Sequence, residues 1–171
     1  MTERPILFSA PMVRAILDDE KTQTRRIAKS DQGRVLPLRY GEPGCRLWVR
    51  ETHAVLHDGI VVYRADLSPN DLADENKVRR SARSTGVETL PWRPSIFMQR
   101  RHSRITLEVT AVRTERLQDI SVDDALHEGV RPPCIRDNFQ RLWYSINGDR
   151  AGRAWADNPL VWVIRFRRLR P

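Results

Sequence analysis

Residues 104–116 read Arg-Ile-Thr-Leu-Glu-Val-Thr-Ala-Val-Arg-Thr-Glu-Arg. Ile105, Leu107, Val109 and Ala111 fall on one side of a two-residue repeat, and Arg104, Thr106, Glu108 and Thr110 on the other. The alternation predicts a strand with one dry and one wet face. That is the pattern of an antiparallel sheet, since buried parallel strands are apolar on both sides.

Beyond this strand, Ser121-Val122-Asp123-Asp124 reads as a helix start in the manner of a capping box, with Asp where Glu is usual. Gly129 reads as the stop of that helix. A second helix is predicted over about Ile135 to Asn147, with Phe139, Leu142, Trp143 and Ile146 on one face. The last strand, Leu160 to Leu169, opens with the apolar run Leu160-Val161-Trp162-Val163-Ile164.

Before residue 104, ILFS at 6–9 reads as a short strand. Ser9 is placed to cap a helix over 10–19, with Pro11 in its first turn. A polar segment, Glu20 to Arg26, follows as a loop or strand start. Residues 31–45 are rich in Gly and Pro and lead into a strand at Arg46 to Glu51. After the Asp58-Gly59 turn, Ile60 to Tyr63 reads as another strand. Residues 66–90 are polar and mixed in charge, and are read as an insertion closed by Trp92-Arg93-Pro94-Ser95. Strands and helices do not alternate and no GxGxxG occurs, which argues against a parallel dinucleotide-binding sheet. The expectation is an α+β fold: one domain over residues 1–171, a small, mostly antiparallel β-barrel decorated with helices.

The 171 residues carry 30 Lys plus Arg against 22 Asp plus Glu, a formal net charge of +8. Only Lys21, Lys29 and Lys77 are lysines, so 27 of the basic residues are arginines. Arginine grips phosphate in bidentate fashion and stacks on bases, so the excess points to nucleic acid or a nucleotide-like ligand. A GC-rich genome is the competing source of such an excess. No apolar run reaches the roughly 18–20 residues of a membrane helix, and no signal peptide is read at the N-terminus. The expectation is a cytoplasmic protein with no membrane partner. Cys45 and Cys134 show no metal-type spacing and are read as two reduced, partly buried thiols.

Several groups stand out chemically. Lys21-Thr22-Gln23-Thr24-Arg25-Arg26 collects an amine, two hydroxyls and two guanidiniums. It can hold phosphate, or a threonine nucleophile beside a lysine base whose pKa is lowered by burial and by Arg25 and Arg26. It can equally be a solvated linker. Glu128 ends its helix where the macrodipole is negative, an unfavourable place for a carboxylate and hence a candidate functional one. An exposed surface glutamate is the alternative. In the strand Trp48-Val49-Arg50-Glu51, Trp48 and Arg50 share a face that could stack on and bond a base, or pack in the core. Arg93, Arg100, Arg101 and Arg104 form a basic stretch, either a binding rim or a solvated surface.

The string at 21–26, followed by Gly44 and Leu47-Trp48-Val49-Arg50-Glu51, resembles the ASCH domain of the PUA-like group. So do Tyr63-Arg64-Ala65-Asp66, Trp92-Arg93-Pro94-Ser95-Ile96, Ser103 to Leu107, Glu128-Gly129 and Asn158 to Val163. The likeness is greatest to the phage- and prophage-encoded branch. It implies a PUA-like barrel that binds RNA or acts on nucleosides. One ASCH branch is similar to amidohydrolases that remove the acetyl group of N4-acetylcytidine with a lysine, a threonine three residues later and a glutamate. Carried over, these are Lys21, Thr24 and Glu128.

On that resemblance, Lys21 activates Thr24, Thr24 attacks the acyl carbonyl and Glu128 handles the leaving amine. Arg26 or backbone amides hold the oxyanion. Arg25, Arg26, Trp48, Arg50, Glu51, Tyr63, Trp92, Arg93 and Arg104 are the candidates for contacting substrate or nucleic acid. No metal or cofactor is called for. The expected partner is a modified nucleoside or RNA, and the expected state is a monomer or small homo-oligomer. Gly44-Cys45 replaces the family's usual Gly-Asp. Phe97, Gln99 and Arg101 stand where the phage branch more often has His, Pro and Trp. A non-catalytic RNA-binding module, a ribonuclease and a phage assembly protein are the other readings.

Overall fold

The computed structural model describes residues 3–31, 34–56, 59–67, 90–148 and 150–170. In chain order its strands are β1 (Glu3–Leu7), β2 (Gln23–Ile27), β3 (Ser30–Asp31), β4 (Arg34–Val35), β5 (Arg46–Arg50), β6 (His53–Val55), β7 (Val61–Tyr63), β8 (Thr106–Arg116) and β9 (Leu160–Leu169). The described α-helices are α1 (Ala10–Leu17), α2 (Val122–His127) and α3 (Ile135–Asn147). Five strands form a sheet in the order β1-β5-β8-β9-β2. The pairs β3–β4 and β6–β7 stand as two-stranded sheets. The fold is α+β, and β8–β9, β2–β9, β3–β4 and β6–β7 are all antiparallel. β1 and β2 end the order of the main sheet, so barrel closure is not part of the described pairing. Among the described residues no helix is long and apolar enough to cross a membrane.

The chain divides into two compact units. The first comprises Met1–Arg4, Ala15–Leu47 and Thr106–Pro171. Its core gathers Leu117, Ile120, Ala125, Val130, Phe139, Trp143, Val161 and Val163. Val161 and Val163 face this cluster, while Ile164 and Phe166 are also buried. The first half of β9 is therefore covered on both faces, which explains its unbroken apolar run. The second unit comprises Pro5–Arg14 and Trp48–Ile105. Ala54, Leu56 and Leu90 form a small cluster there, with Val62 and Trp92 against it.

The strand over 104–116 is present, but the alternation does not run through it. A register shift against β9 falls between Val109 and Ala111. Leu107 and Val109 are buried, whereas Ala111 is exposed. The extra residue of a bulge turns every following side chain to the other face. Ile146 is also misassigned to the dry face: it is 46% exposed, because the end of α3 runs past the core that Phe139 and Trp143 fill. Cys45 is partly buried as expected, but Cys134 is exposed at the N-terminus of α3. Residues 68–89, most of the expected insertion, lie outside the described residues, as does Asp58 of the expected turn.

Candidate functional site

The segment 20–26 is no solvated linker. Lys21, Gln23, Thr24 and Arg25 are 1%, 0%, 2% and 4% exposed. The end of α1 delivers Lys21 to its place: the Glu20 and Lys21 amides both donate to the Ala15 carbonyl. Lys21 then makes an antiparallel bridge with Glu128 before β2 begins.

Glu128 reaches that bridge because α2 is started and stopped sharply. Ser121 Oγ accepts from the Asp124 amide at 3.0 Å, the expected cap. The carboxylate of Asp124 does not close the box and goes to arginines instead. Gly129 then adopts φ +83°. A Cβ at Gly129 would sit 3.0 Å from Ala15 Cβ and 3.3 Å from Lys21 Cβ, so only glycine fits where these segments touch.

The result is a buried ionic centre. Lys21 Nζ donates at 2.8 Å to Glu128 Oε2, at 2.8 Å to the Glu128 carbonyl and at 2.8 Å to the Gln23 carbonyl. Three acceptors match the three N–H bonds of an ammonium. Burial pushes the Lys21 pKa down, Glu128 opposes the shift, and Arg26 and Arg25 add to it. The other oxygen of Glu128 accepts from Arg25 Nη1 at 3.1 Å. Arg25 also bonds Glu115 and Asp124, and its guanidinium lies 5.8 Å from the Phe139 ring centre. Arg113 and Arg165 complete the ring around Asp124. For Asp124, desolvation works to raise the pKa, but the Arg113 and Arg25 charges outweigh it and the net shift is downward.

Of the three residues the resemblance groups, Lys21 and Glu128 are in direct contact. Thr24 lies next to them in the chain: the carbonyl that Nζ holds belongs to the peptide leading into Thr24. Strand alternation sets Thr24 and Arg26 on the face opposite Gln23 and Arg25. Their cross-strand partners are Ile164 and Trp162. Arg26 lines a cavity of about 390 Å³ together with Lys29, Arg39, Tyr40, Arg153 and Trp162. Burial is the largest influence on Arg26 and lowers its pKa, with Tyr40 and Glu128 opposing.

The remaining candidates belong to the second unit. Trp48 is 8% exposed, and the Arg50 guanidinium lies 4.7 Å from its ring centre. The two share a face as expected, and they stack on each other. Glu51 is buried and receives Arg104 Nε at 3.0 Å and Nη2 at 3.1 Å. Arg104 also holds Asp66 at 2.7 and 2.9 Å and lies 3.9 Å from the Tyr63 ring centre. Burial raises the Glu51 pKa against the pull of Arg104. Tyr63 donates its hydroxyl to the His102 carbonyl at 2.9 Å. Trp92 packs on the small apolar cluster, and Arg93 is exposed, its backbone bridged to His53.

Sequence reading missed Glu115, Asp124, Arg113 and Arg165. Charges on the two long strands were the available signal, but their convergence depends on the β8–β9 pairing and the position of α2.

The class that fold and site define is an α+β protein with a buried lysine–arginine–glutamate centre. Neither the models of known protein families nor the curated proteins give a match. Among solved structures, the crystal structure of an ASCH domain from Lactobacillus crispatus JV V101 is similar over 98% of this chain and 79% of that one, at 14% identity and a TM-score of 0.45. A likeness at that level carries no inference about activity.

Proposed function

We propose that the chain is an ASCH-type, PUA-like protein of the phage branch that deacylates an N4-acylated cytosine nucleoside. The observation that carries this reading is the position of Lys21 Nζ. It is 2.8 Å from Glu128 Oε2 and 2.8 Å from the carbonyl preceding Thr24. A lysine base, a threonine nucleophile and a glutamate proton carrier need this kind of adjacency.

In the reaction, Lys21 first passes one proton to Glu128 within the pair, which leaves a neutral amine and a neutral acid. Burial of Lys21 favours that exchange. The amine takes the Thr24 hydroxyl proton as Oγ1 bonds to the acyl carbon. Arg26 supports the oxyanion. Collapse breaks the C–N bond, and Glu128 returns a proton to the departing N4. Glu128 then takes a proton from water as the water oxygen bonds to the acyl carbon, the C–O bond to Thr24 breaks to free the acid, and the Lys21 ammonium returns a proton to Oγ1. Incubation with N4-acetylcytidine tests the reading: acetate and cytidine should form with the native protein and not with Thr24→Ala.

The second reading is a non-catalytic module for RNA or a modified base. Its support is that Lys21 Nζ, with three acceptors, is arranged as a donor rather than as a base. In that case Thr24→Val leaves ligand affinity unchanged.

A further inference from the structure

Arg113, Arg131, Arg165, Arg167, Arg168 and Arg170 each pair with a carboxylate. Lys29, Arg39 and Arg153 have no such partner among the described residues, although all three are exposed. All three line the 390 Å³ cavity, and no described acidic side chain lines it with them. Arg34, Arg116, Arg136, Arg141 and Arg150 also lack a carboxylate partner among the described residues, and what distinguishes the cavity is that three such cations converge on it. A concave wall of one sign concentrates field and attracts anions.

The same wall is aromatic. Trp162, half-buried, is the cross-strand partner of Arg26, and Tyr40 carries the Arg39 guanidinium 5.3 Å from its ring centre. Asn147 adds an amide whose nitrogen donates to the Trp143 carbonyl at 3.3 Å and whose oxygen can accept. Inorganic phosphate or sulfate would need the cations but not the rings, and an apolar ligand would need the rings but not the cations. The volume lies in the range of small-ligand pockets, roughly 300–1,000 Å³. Rings, an amide and cations with no described carboxylate beside them, in one cavity of this size, match a nucleotide.

We propose that this cavity is a nucleotide-binding site, in which Trp162 and Tyr40 receive the base and Lys29, Arg39 and Arg153 receive the phosphate. The cavity lies on the Thr24 side of β2, since Arg26 and Thr24 share that face and Trp162 and Ile164 oppose them. Arg26 joins it to the ionic centre, being within electrostatic reach of both Tyr40 and Glu128. Where the deacylation reading holds, on which this extension rests, the phosphorylated nucleoside is a better substrate than the free one.

The test is a titration of the full chain with the ribonucleoside 5′-monophosphates, the matching nucleosides, inorganic phosphate and a short single-stranded oligoribonucleotide. At least one monophosphate should bind about tenfold or more tighter than its nucleoside and than inorganic phosphate. Lys29→Gln combined with Arg153→Gln should remove that advantage while the circular dichroism spectrum is unchanged, both positions being exposed. An oligoribonucleotide that binds tighter than the monophosphates assigns the site to RNA, and one that binds no tighter assigns it to free nucleotides. Monophosphates that bind no better than nucleosides or phosphate, or a double variant with full affinity, overturn the proposal. Turnover of N4-acetylcytidine and of its 5′-monophosphate is a separate readout. Its absence with nucleotide binding intact overturns the deacylase reading alone.

Discussion

Lys21 and Glu128 meet through side chain and backbone at once: Nζ lies 2.8 Å from Oε2 and 2.8 Å from the glutamate's own carbonyl. Both residues are almost fully buried. Removing one partner strands a charge away from water. Glu128→Leu should cost about 3–5 kcal/mol of unfolding free energy. Lys21→Met should cost less, because Arg25 still bonds Glu128 at 3.1 Å. The double variant should lose less than the sum of the two. Urea unfolding of all four proteins measures the coupling, and additive losses would contradict a direct interaction.

The pH dependence of deacylation follows from the same pair. Burial lowers the Lys21 pKa and Glu128 raises it. The reacting pair holds one proton between its two groups, so the rate should fall as pH rises and that proton is lost, with its midpoint below the ordinary lysine value of about 10.4. Glu128→Gln cannot take the lysine proton, so whatever activity survives should instead rise with pH as Lys21 itself deprotonates. A native rate that rises through that range would contradict the assignment.

Asp124 gives a stability prediction of known sign. Its pKa is lower folded than unfolded, so its contribution is fully present above the unfolded value of about 3.9 and is lost as pH falls through the folded value. Unfolding free energy should drop over that acidic window. Asp124→Asn should flatten the drop while lowering stability at neutral pH, because Arg25, Arg113 and Arg165 lose a shared carboxylate. An unchanged acid slope in the variant would contradict this account.

Gly129 is tied to the site by space as well as by φ. Gly129→Ala forces a methyl to 3.0 Å from Ala15 and places it in the left-handed region. The left-handed backbone alone costs about 1–2 kcal/mol. Thermal unfolding should register at least that loss, and a neutral substitution would show that the Ala15–Lys21–Gly129 approach is looser than described.

Arg104 should behave as an internal clamp of the second unit. It fills both oxygens of Glu51, holds Asp66 and covers Tyr63. Arg104→Lys keeps the charge but loses the fork, and should destabilise by about 1–3 kcal/mol. Chemical denaturation tests this, and stability equal to the native protein would contradict it.

The legible parts were those with local causes. Ser121 and Gly129 bracket α2 through backbone geometry confined to a few residues, and α3 announces itself by Phe139 and Trp143. The α+β class followed from the order of such segments. The β8 bulge was not legible, because Thr110 carries no mark that an extra residue is needed against β9. Locally Asp124 is only a capping residue, since its arginine partners are 11 to 99 positions away. Lys21, Thr24 and Glu128 were singled out by local composition and by family resemblance. Only the fold brings residues 107 positions apart into contact. The cavity beside Arg26 is not legible in the sequence, because Lys29, Tyr40, Arg153 and Trp162 share no pattern along the chain.

The most direct measurement is chromatographic detection of cytidine and acetate after incubation of N4-acetylcytidine, and of its 5′-monophosphate, with the native protein and Thr24→Ala. The account predicts turnover that disappears in the variant while its fold is retained. A folded native protein that leaves both compounds intact, or a Thr24→Ala variant that turns over as fast as the native protein, would contradict it.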